Sequence, residues 1–332
     1  MNRARAFALL RVAVALLVLV LAAVALSAQW RTVGPQLRRL SAGTVVLALL
    51  AGCAAIGCAV PSWRALLAEV EPGADLPWRP ATRVFLLGQL GKFVPGSVWA
   101  VVAQTELGRR HGVPRRATAT AGLLAMGVSL ATAVVAAAAF LPLASTDLRH
   151  RFWWLALIAV AALAALAPPV LTPVVAWALR LLRREPLAAS LSWGGVGRSV
   201  AWSLAGWLLY GVHTLVLVRA LGAAGDGLAA RSVGGFALAF AVGFVVVIAP
   251  AGAGVREPLL VLVFDGVLPS GGALAFAAVS RLLLTVADLL GGGVSAILGR
   301  GSDKTGAPPS TRPGASRPPS TDPVGGVAAG RI

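Results

Sequence analysis

Acidic residues are scarce in this sequence, and charged residues of both signs are few. Its 332 residues include 12 Asp and Glu against 29 Lys and Arg, so only 12% are charged and the formal net charge is +17. Ordinary globular proteins carry about 25% charged residues. Together with 58% hydrophobic residues and a mean hydropathy of +0.84, this scarcity excludes an ordinary soluble domain. It predicts an all-α integral membrane protein that crosses the bilayer several times.

Side chains that usually perform catalysis or bind metals are also few. The chain has three histidines and two cysteines, and Cys53 and Cys58 lie in one apolar stretch without a nearby histidine, as packing residues do. Residues 88–93, GQLGKF, lack the glycine spacing and the Ser or Thr of a phosphate-binding loop. The basic residues show no interleaved aromatic residues of the kind that line a nucleic-acid groove. We therefore expect no enzyme activity, no cofactor and no nucleic-acid partner.

Apolar stretches divide the chain into six predicted spans and two interrupted segments. Residues 83–107 contain VPG at 94–96, and residues 233–268 contain IAPAGAGVREP at 248–258. Proline removes a backbone donor and glycine lets the chain reverse, so each interruption predicts a re-entrant element beside a cavity. The full spans are predicted at about residues 12–28, 44–60, 117–141, 152–182, 199–218 and 273–298, and Pro61 is predicted to open a polar loop after the second.

The last part of the sequence differs from the rest. Residues 301–332 are rich in Pro, Gly, Ser and Thr and include several basic residues. Such a composition cannot bury an apolar core. We expect a membrane domain of residues 1–300 followed by a disordered basic tail.

Positive charge predicts the orientation of this topology. If both interrupted segments leave on the side they enter, most Lys and Arg residues lie on the side of the two termini, which the positive-inside rule makes cytoplasmic. We expect a plasma-membrane location. The two segments then enter from opposite sides, as in an inverted-repeat transporter, although the halves share no obvious sequence identity. The alternative of eight full crossings would place four arginines outside, Arg180, Arg183, Arg184 and Arg198, and the distribution of positive charge argues against it.

Charged residues next to the two interruptions form the predicted binding site. Each charge costs at least about 2.5–3.5 kcal/mol at the centre of a membrane helix, so it should face protein or water. A restarted helix offers free N–H groups and a positive dipole end, which attract phosphate or carboxylate. Lys92 and Arg256 are the cations closest to the interruptions, and we expect them to hold an anionic headgroup. The alternative is that Arg256, Glu257, Arg281 and Asp288 neutralise one another, the last two lying seven residues apart on one helix face.

Two segments carry a family resemblance. RVFLLGQLGKFVPGSVWAVVAQTELGRRHGVPRRATATAGLL at 83–124 and APAGAGVREPLLVLVFDGVLPSGGALAFAAVSRLLLTVADLL at 249–290 resemble the lysylphosphatidylglycerol synthase transmembrane region, the flippase-like part of the multiple peptide resistance factor. The resemblance covers about residues 8–298. It implies a lipid-translocating or lipid-binding domain with two re-entrant elements. The signature positions that it implies as the binding site are Lys92, Pro95, Gly96, Gly252, Gly254, Arg256, Glu257 and Arg281.

The sequence also departs from that family. Full-length synthases add a cytosolic aminoacyl-transferase domain, where this chain has the polar tail, so we expect no synthesis of lysylphosphatidylglycerol. Residues 97–107, SVWAVVAQTEL, lack the Gly-Glu-Arg pattern of synthase-linked members. The predicted function is flippase-like transport of a membrane lipid with an anionic or phosphate-bearing headgroup. The alternative is a non-catalytic partner that presents lipid or polyprenyl-phosphate-sugar to a separate lipid-modifying or glycosyl transferase. An intramembrane enzyme is disfavoured because acid–base pairs are scarce.

Overall fold

The computed structural model describes residues 30–74, 76–93, 99–181, 183, 187, 189–245, 254–269 and 271–298, and these form α-helices without a strand. Five helices are long and apolar enough to cross a membrane, and a bent pair of shorter helices adds a sixth candidate crossing. The prediction of an all-α multi-pass membrane protein is confirmed. The helices are α1 (Trp30–Leu37), α2 (Ala42–Val70), α3 (Trp78–Gln89), α4 (Trp99–Arg109), α5 (Arg115–Ala144), α6 (Thr146–Phe152), α7 (Leu155–Leu166), α8 (Pro168–Leu181), α9 (Trp193–Ala220), α10 (Leu228–Val245), α11 (Arg256–Phe264) and α12 (Gly272–Leu298).

The predicted spans differ from the helices in two places. The predicted loop after Pro61 is wrong, because α2 continues to Val70 with Pro61 inside it. Ser62 and Trp63 in this turn are buried, so neighbouring helices support the helix where proline removes a hydrogen bond. The predicted span at 152–182 is occupied by two helices, α7 and α8, and α7 forms with α6, which ends at Phe152, the pair that is bent by 61°. The predicted span at 12–28 and the predicted tail lie outside the described residues.

Helices α2 and α9 run antiparallel and contact each other along their whole length. At one end, the backbone N–H of Ser192 donates to Glu69 Oε2 at 2.6 Å. In the middle, the hydroxyls of Ser62 and Ser199 lie 2.9 Å apart. Towards the other end, His213 Nδ1 bonds the carbonyl of Ala48 at 2.8 Å. These hydrogen bonds fix the register of the two helices at the centre of the bundle.

Helix α12 runs parallel to α2 and packs against both α2 and α9. A Cβ at Gly52 would lie 2.9 Å from the side chain of Leu284, so the two helices pack closely there. His213, which bonds α2 through Nδ1, also bonds Ser280 Oγ of α12 through Nε2 at 2.9 Å. One histidine therefore joins three helices.

The arms of each interrupted segment lie side by side. In the first hairpin, α3 and α4, a Cβ at Gly91 would lie 2.6 Å from the carbonyl oxygen of Trp99. In the second hairpin, α10 and α11, Gly235 faces Val263 and Gly243 faces Arg256 in the same close manner. Glycine at these positions lets the antiparallel arms approach. Two kinked full crossings would place these residues far apart, whereas the two arms of each interrupted segment are neighbours. Helix α10, the first arm of the second hairpin, is one of the five helices long and apolar enough to cross a membrane.

The two hairpins approach from opposite ends of the bundle. The first follows the end of α2, and the second precedes the start of α12, a helix parallel to α2. Each half of the protein has the same order, a long helix, a hairpin and a long helix, with the direction reversed in the second half. The first arm of each hairpin packs against the last helix of the other half, α3 on α12 and α10 on α5. This is the inverted arrangement that the sequence predicted for the two segments.

Candidate functional site

A cavity of about 270 Å³ lies where the two hairpins meet at the middle of the bundle. Its walls come from α2, α5, α9 and α12 as well as from both hairpins. Three cations and two carboxylates line it, and they come from three separate parts of the sequence. These five side chains are Lys92, Arg256, Glu257, Arg281 and Asp288.

The cavity therefore brings together four of the predicted site residues, Lys92, Arg256, Glu257 and Arg281. Gly254 lies next to it at the start of α11. The other three predicted residues, Pro95, Gly96 and Gly252, lie outside the described residues. The helices on either side of both interruptions nevertheless end at the cavity.

Two ion pairs join the hairpins to α12. Lys92 Nζ lies 2.7 Å from Asp288 Oδ1, and Arg281 Nη1 lies 2.6 Å from Glu257 Oε1. Arg281 and Asp288 lie on one face of α12, as the sequence predicted. The neutralisation that the sequence left open occurs between Glu257 and Arg281. Asp288 pairs instead with Lys92, which the sequence did not predict, and Arg256 takes part in neither pair. Both pairs form between elements, because each residue of α12 pairs with a different hairpin.

Glu257 also caps the helix to which it belongs. Its Oε2 accepts a hydrogen bond from the backbone N–H of Gly254 at 2.7 Å, while Oε1 binds Arg281. Gly254 has φ +80°, a left-handed conformation that glycine adopts without steric cost. The glycine and the carboxylate therefore fix the start of α11 at the cavity. This local geometry also sets the position of the preceding cation, Arg256.

Arg256 differs from the other cations of the cavity. Its guanidinium carbon lies 4.5 Å from the centre of the Phe240 ring, within the range of a cation–π contact. Its Nε is buried and has no hydrogen-bond partner among the described residues. Since the two ion pairs account for the other four charges, the net charge lining the cavity is one positive charge, carried by Arg256.

Aromatic side chains of α9 and α10 form the part of the wall next to Arg256. Phe240 packs edge-on against Trp207 at 4.7 Å, and Tyr210 stacks on Phe236 at 4.9 Å. The indole N–H of Trp207 donates to Thr132 Oγ1 at 3.0 Å, so this wall is held to α5. The cavity thus has a charged part and an aromatic part, which meet where Arg256 lies over Phe240.

Most of the cavity wall was not predicted from the sequence, including Gln104, Tyr210 and Phe240. Tyr210 is the only tyrosine of the chain, and its place in a long apolar stretch was a signal that could have been used. Gln104 lies in α4, where it looks like one of several polar residues of a short helix. Its burial depends on how α4 packs against α3 and α5.

The chain matches a known family over most of its length. The family model described as the lysylphosphatidylglycerol synthase TM region matches residues 8–292. That description concerns the transmembrane region and not a catalytic transferase domain. The matched range contains both hairpins and all five charged residues of the cavity. No curated protein matches the chain.

Proposed function

The chain belongs to the lysylphosphatidylglycerol synthase transmembrane-region family, and from this membership and the charged cavity we propose that it is a flippase-like lipid transporter. Its substrate is a membrane lipid with an anionic or phosphate-bearing headgroup. The observation that carries the proposal is the single uncompensated cation, Arg256, in a cavity that both hairpins reach. The proposed process moves a lipid between leaflets and breaks no bond.

The size and charge of the cavity support a headgroup as its occupant. Pockets for drug-sized ligands have volumes of about 300–1,000 Å³, and this cavity has about 270 Å³. A whole phospholipid does not fit in that space, whereas a headgroup does. The acyl chains would remain in the surrounding lipid while Arg256 binds the phosphate through charge-assisted hydrogen bonds.

The two ion pairs suggest how access alternates between the two sides. The hairpins approach from opposite ends, and each is tied to α12 by one pair, Lys92–Asp288 or Glu257–Arg281. Opening one pair would free one hairpin and admit a headgroup from one leaflet. Opening the other would release it towards the opposite leaflet, in the manner of alternating access around a central site.

The proposed orientation follows from the basic residues at the two ends of the bundle. The end that carries the α4–α5 loop holds Arg109, Arg110, Arg115 and Arg116. By the positive-inside rule this end is cytoplasmic, and both termini lie there in a plasma membrane. Single cysteines at Gly112 and Gly225, in a chain lacking Cys53 and Cys58, would then be labelled from opposite sides.

Reconstitution tests the proposed transport directly. Full-length protein in liposomes should carry acyl-labelled fluorescent phosphatidylglycerol between leaflets, measured as the fraction of label that an impermeant quencher reaches. Arg256→Met in matched liposomes is the control, and it should be close to the protein-free rate. Binding of the lipid without any translocation would contradict transport and support the alternative, a partner that presents lipid to a separate transferase.

A further inference from the structure

The first hairpin places an unpaired amide in the wall of the cavity. Gln104 is 2% exposed and lines the cavity. Its Oε1 is buried and has no hydrogen-bond partner among the described residues. Burying an amide without a partner costs free energy, and such groups are rare in native proteins. Because this amide borders a cavity, a ligand can supply the missing hydrogen bond.

The packing around Gln104 fixes the position of its side chain. A Cβ at Gly88 of α3 would collide with Gln104 Cγ, and a Cβ at Gly122 of α5 would lie 3.1 Å from Gln104 Oε1. Two glycines on two different helices therefore leave the space that this side chain fills. The unpaired oxygen belongs to a closely packed side chain and not to a mobile surface residue.

We propose that Gln104 accepts a hydrogen bond from a hydroxyl or ammonium group of the headgroup whose phosphate is bound by Arg256. This inference rests on the proposed function and narrows its substrate class. A phosphate alone would satisfy Arg256 and leave Gln104 Oε1 without a donor, because phosphate oxygens can bond only the N–H groups of this amide. A headgroup that carries both a phosphate and an O–H or N–H donor satisfies both residues, whereas phosphocholine carries the phosphate without a donor.

Phosphoethanolamine and phosphocholine lipids provide a matched pair of probes. Both headgroups are zwitterionic, and they differ in that the ammonium of ethanolamine has N–H donors and the trimethylammonium of choline has none. Binding of the soluble lysolipids to the purified full chain can be measured from tryptophan fluorescence, since Trp207 lines the cavity. We expect the wild type to bind the ethanolamine lipid at least about fivefold more tightly, the effect of one hydrogen bond.

The variant Gln104→Met keeps an unbranched side chain of similar length and removes the acceptor. It should bind both lysolipids equally, with the affinity for the choline lipid unchanged. Gln89→Met is the matched control, because Gln89 lines the same cavity on the other arm of this hairpin, and it should keep the preference. If Gln104→Met does not fold, Gln104→Glu retains acceptor oxygens and should keep the preference as well.

Three results would overturn this assignment. They are a wild type without a preference, a preference that survives in folded Gln104→Met, and a preference lost in Gln89→Met instead. Liposome transport of the two acyl-labelled lipids separates this inference from the proposed function. A binding preference without transport supports the role of Gln104 and overturns the transporter. Transport of both lipids at one rate, without a binding preference, overturns the role of Gln104 and leaves the transporter standing.

Discussion

The two hairpins bring a cation to the same cavity but hold it in different ways. Lys92 of the first hairpin is paired with the carboxylate of Asp288 at 2.7 Å. Arg256 of the second lies over the ring of Phe240 and has no carboxylate within ion-pair distance among the described residues. A paired cation holds structure together, and an unpaired cation in a cavity can bind an anion. Both hairpins are attached to α12 by an ion pair, and the unpaired Arg256 of the second hairpin supports the proposed binding of an anionic headgroup there.

The largest expected effect is that of Arg256→Met on transport. Hydrogen bonds to charged groups contribute about 1.5–3 kcal/mol, and each 1.4 kcal/mol is about a factor of ten. We expect the transport rate of an anionic lipid to fall at least about tenfold. Thermal stability should be retained, because no carboxylate loses its partner. The transport rate of Arg256→Lys, which keeps the charge, should lie between those of the wild type and Arg256→Met. A wild-type rate in Arg256→Met would contradict the proposed role of Arg256.

Changing the Lys92–Asp288 pair should affect stability, with an asymmetry between its partners. Lys92→Met leaves the carboxylate of Asp288, whose side chain is 7% exposed, without its cation. Removing one partner of a fully buried pair costs about 3–5 kcal/mol, and the 32% exposure of Lys92 reduces this to about 1–2 kcal/mol.

Asp288→Asn should cost less, because the partly exposed Lys92 can reach water. Thermal unfolding in detergent measures both variants, and Lys92→Met with Asp288→Leu should recover part of the loss. Equal costs for the two single variants would contradict the difference in burial.

Alanine at a glycine of each hairpin should separate stability from transport. A Cβ at Gly91 would meet the backbone of Trp99 at 2.6 Å, and the backbone cannot easily move. A Cβ at Gly243 would meet Arg256 Cγ at 2.7 Å, and this flexible side chain can move away. Gly91→Ala should lower stability by about 1–3 kcal/mol, the cost of overpacking. Gly243→Ala should lower transport with little loss of stability. The reverse result in the two assays would show that the second hairpin is the more rigid one.

The smallest effect is expected at the end of α4 that lies away from the cavity. Arg115 donates to Glu106 at 2.7 Å, and this hydrogen bond lowers the pKa of the Glu106 carboxyl. Any stabilisation is therefore present above the ordinary pKa of a glutamate and disappears as the pH falls through the lowered value. Both side chains are largely exposed, so Glu106→Gln should leave the melting temperature nearly unchanged at neutral pH. A large decrease would show that the pair holds the hairpin.

Much of the fold could be predicted because it depends on local composition. Apolar stretches locate α5, α9 and α12, and the interruptions at 94–96 and 248–258 locate the two hairpins. The end of α2 was predicted wrongly at Pro61. The helix continues through this proline where Ser62 is buried and bonds Ser199, a residue far away in the sequence, so local composition could not reveal it.

The site was predicted less completely, for a related reason. Lys92 and Arg256 were treated alike because both lie near an interruption in the sequence. They differ through Asp288 and Phe240, which are separated from them along the chain and reach them only through helix packing. The burial of Gln104 depends in the same way on Gly88 and Gly122. Residue type could therefore identify the charged side chains, and only the packing could separate their roles.

Arg281 and Asp288 are seven residues apart on a single continuous helix, a separation of about 10.5 Å along the axis. An α-helix does not stretch over such a distance, and each of the two positions holds one hairpin through an ion pair. If access alternates as proposed, a tilt of α12 that separates Asp288 from Lys92 would press Arg281 towards Glu257, and the opposite tilt would do the reverse. The two pairs could then be closed together but not open together, and one rigid helix would prevent a continuous path across the membrane.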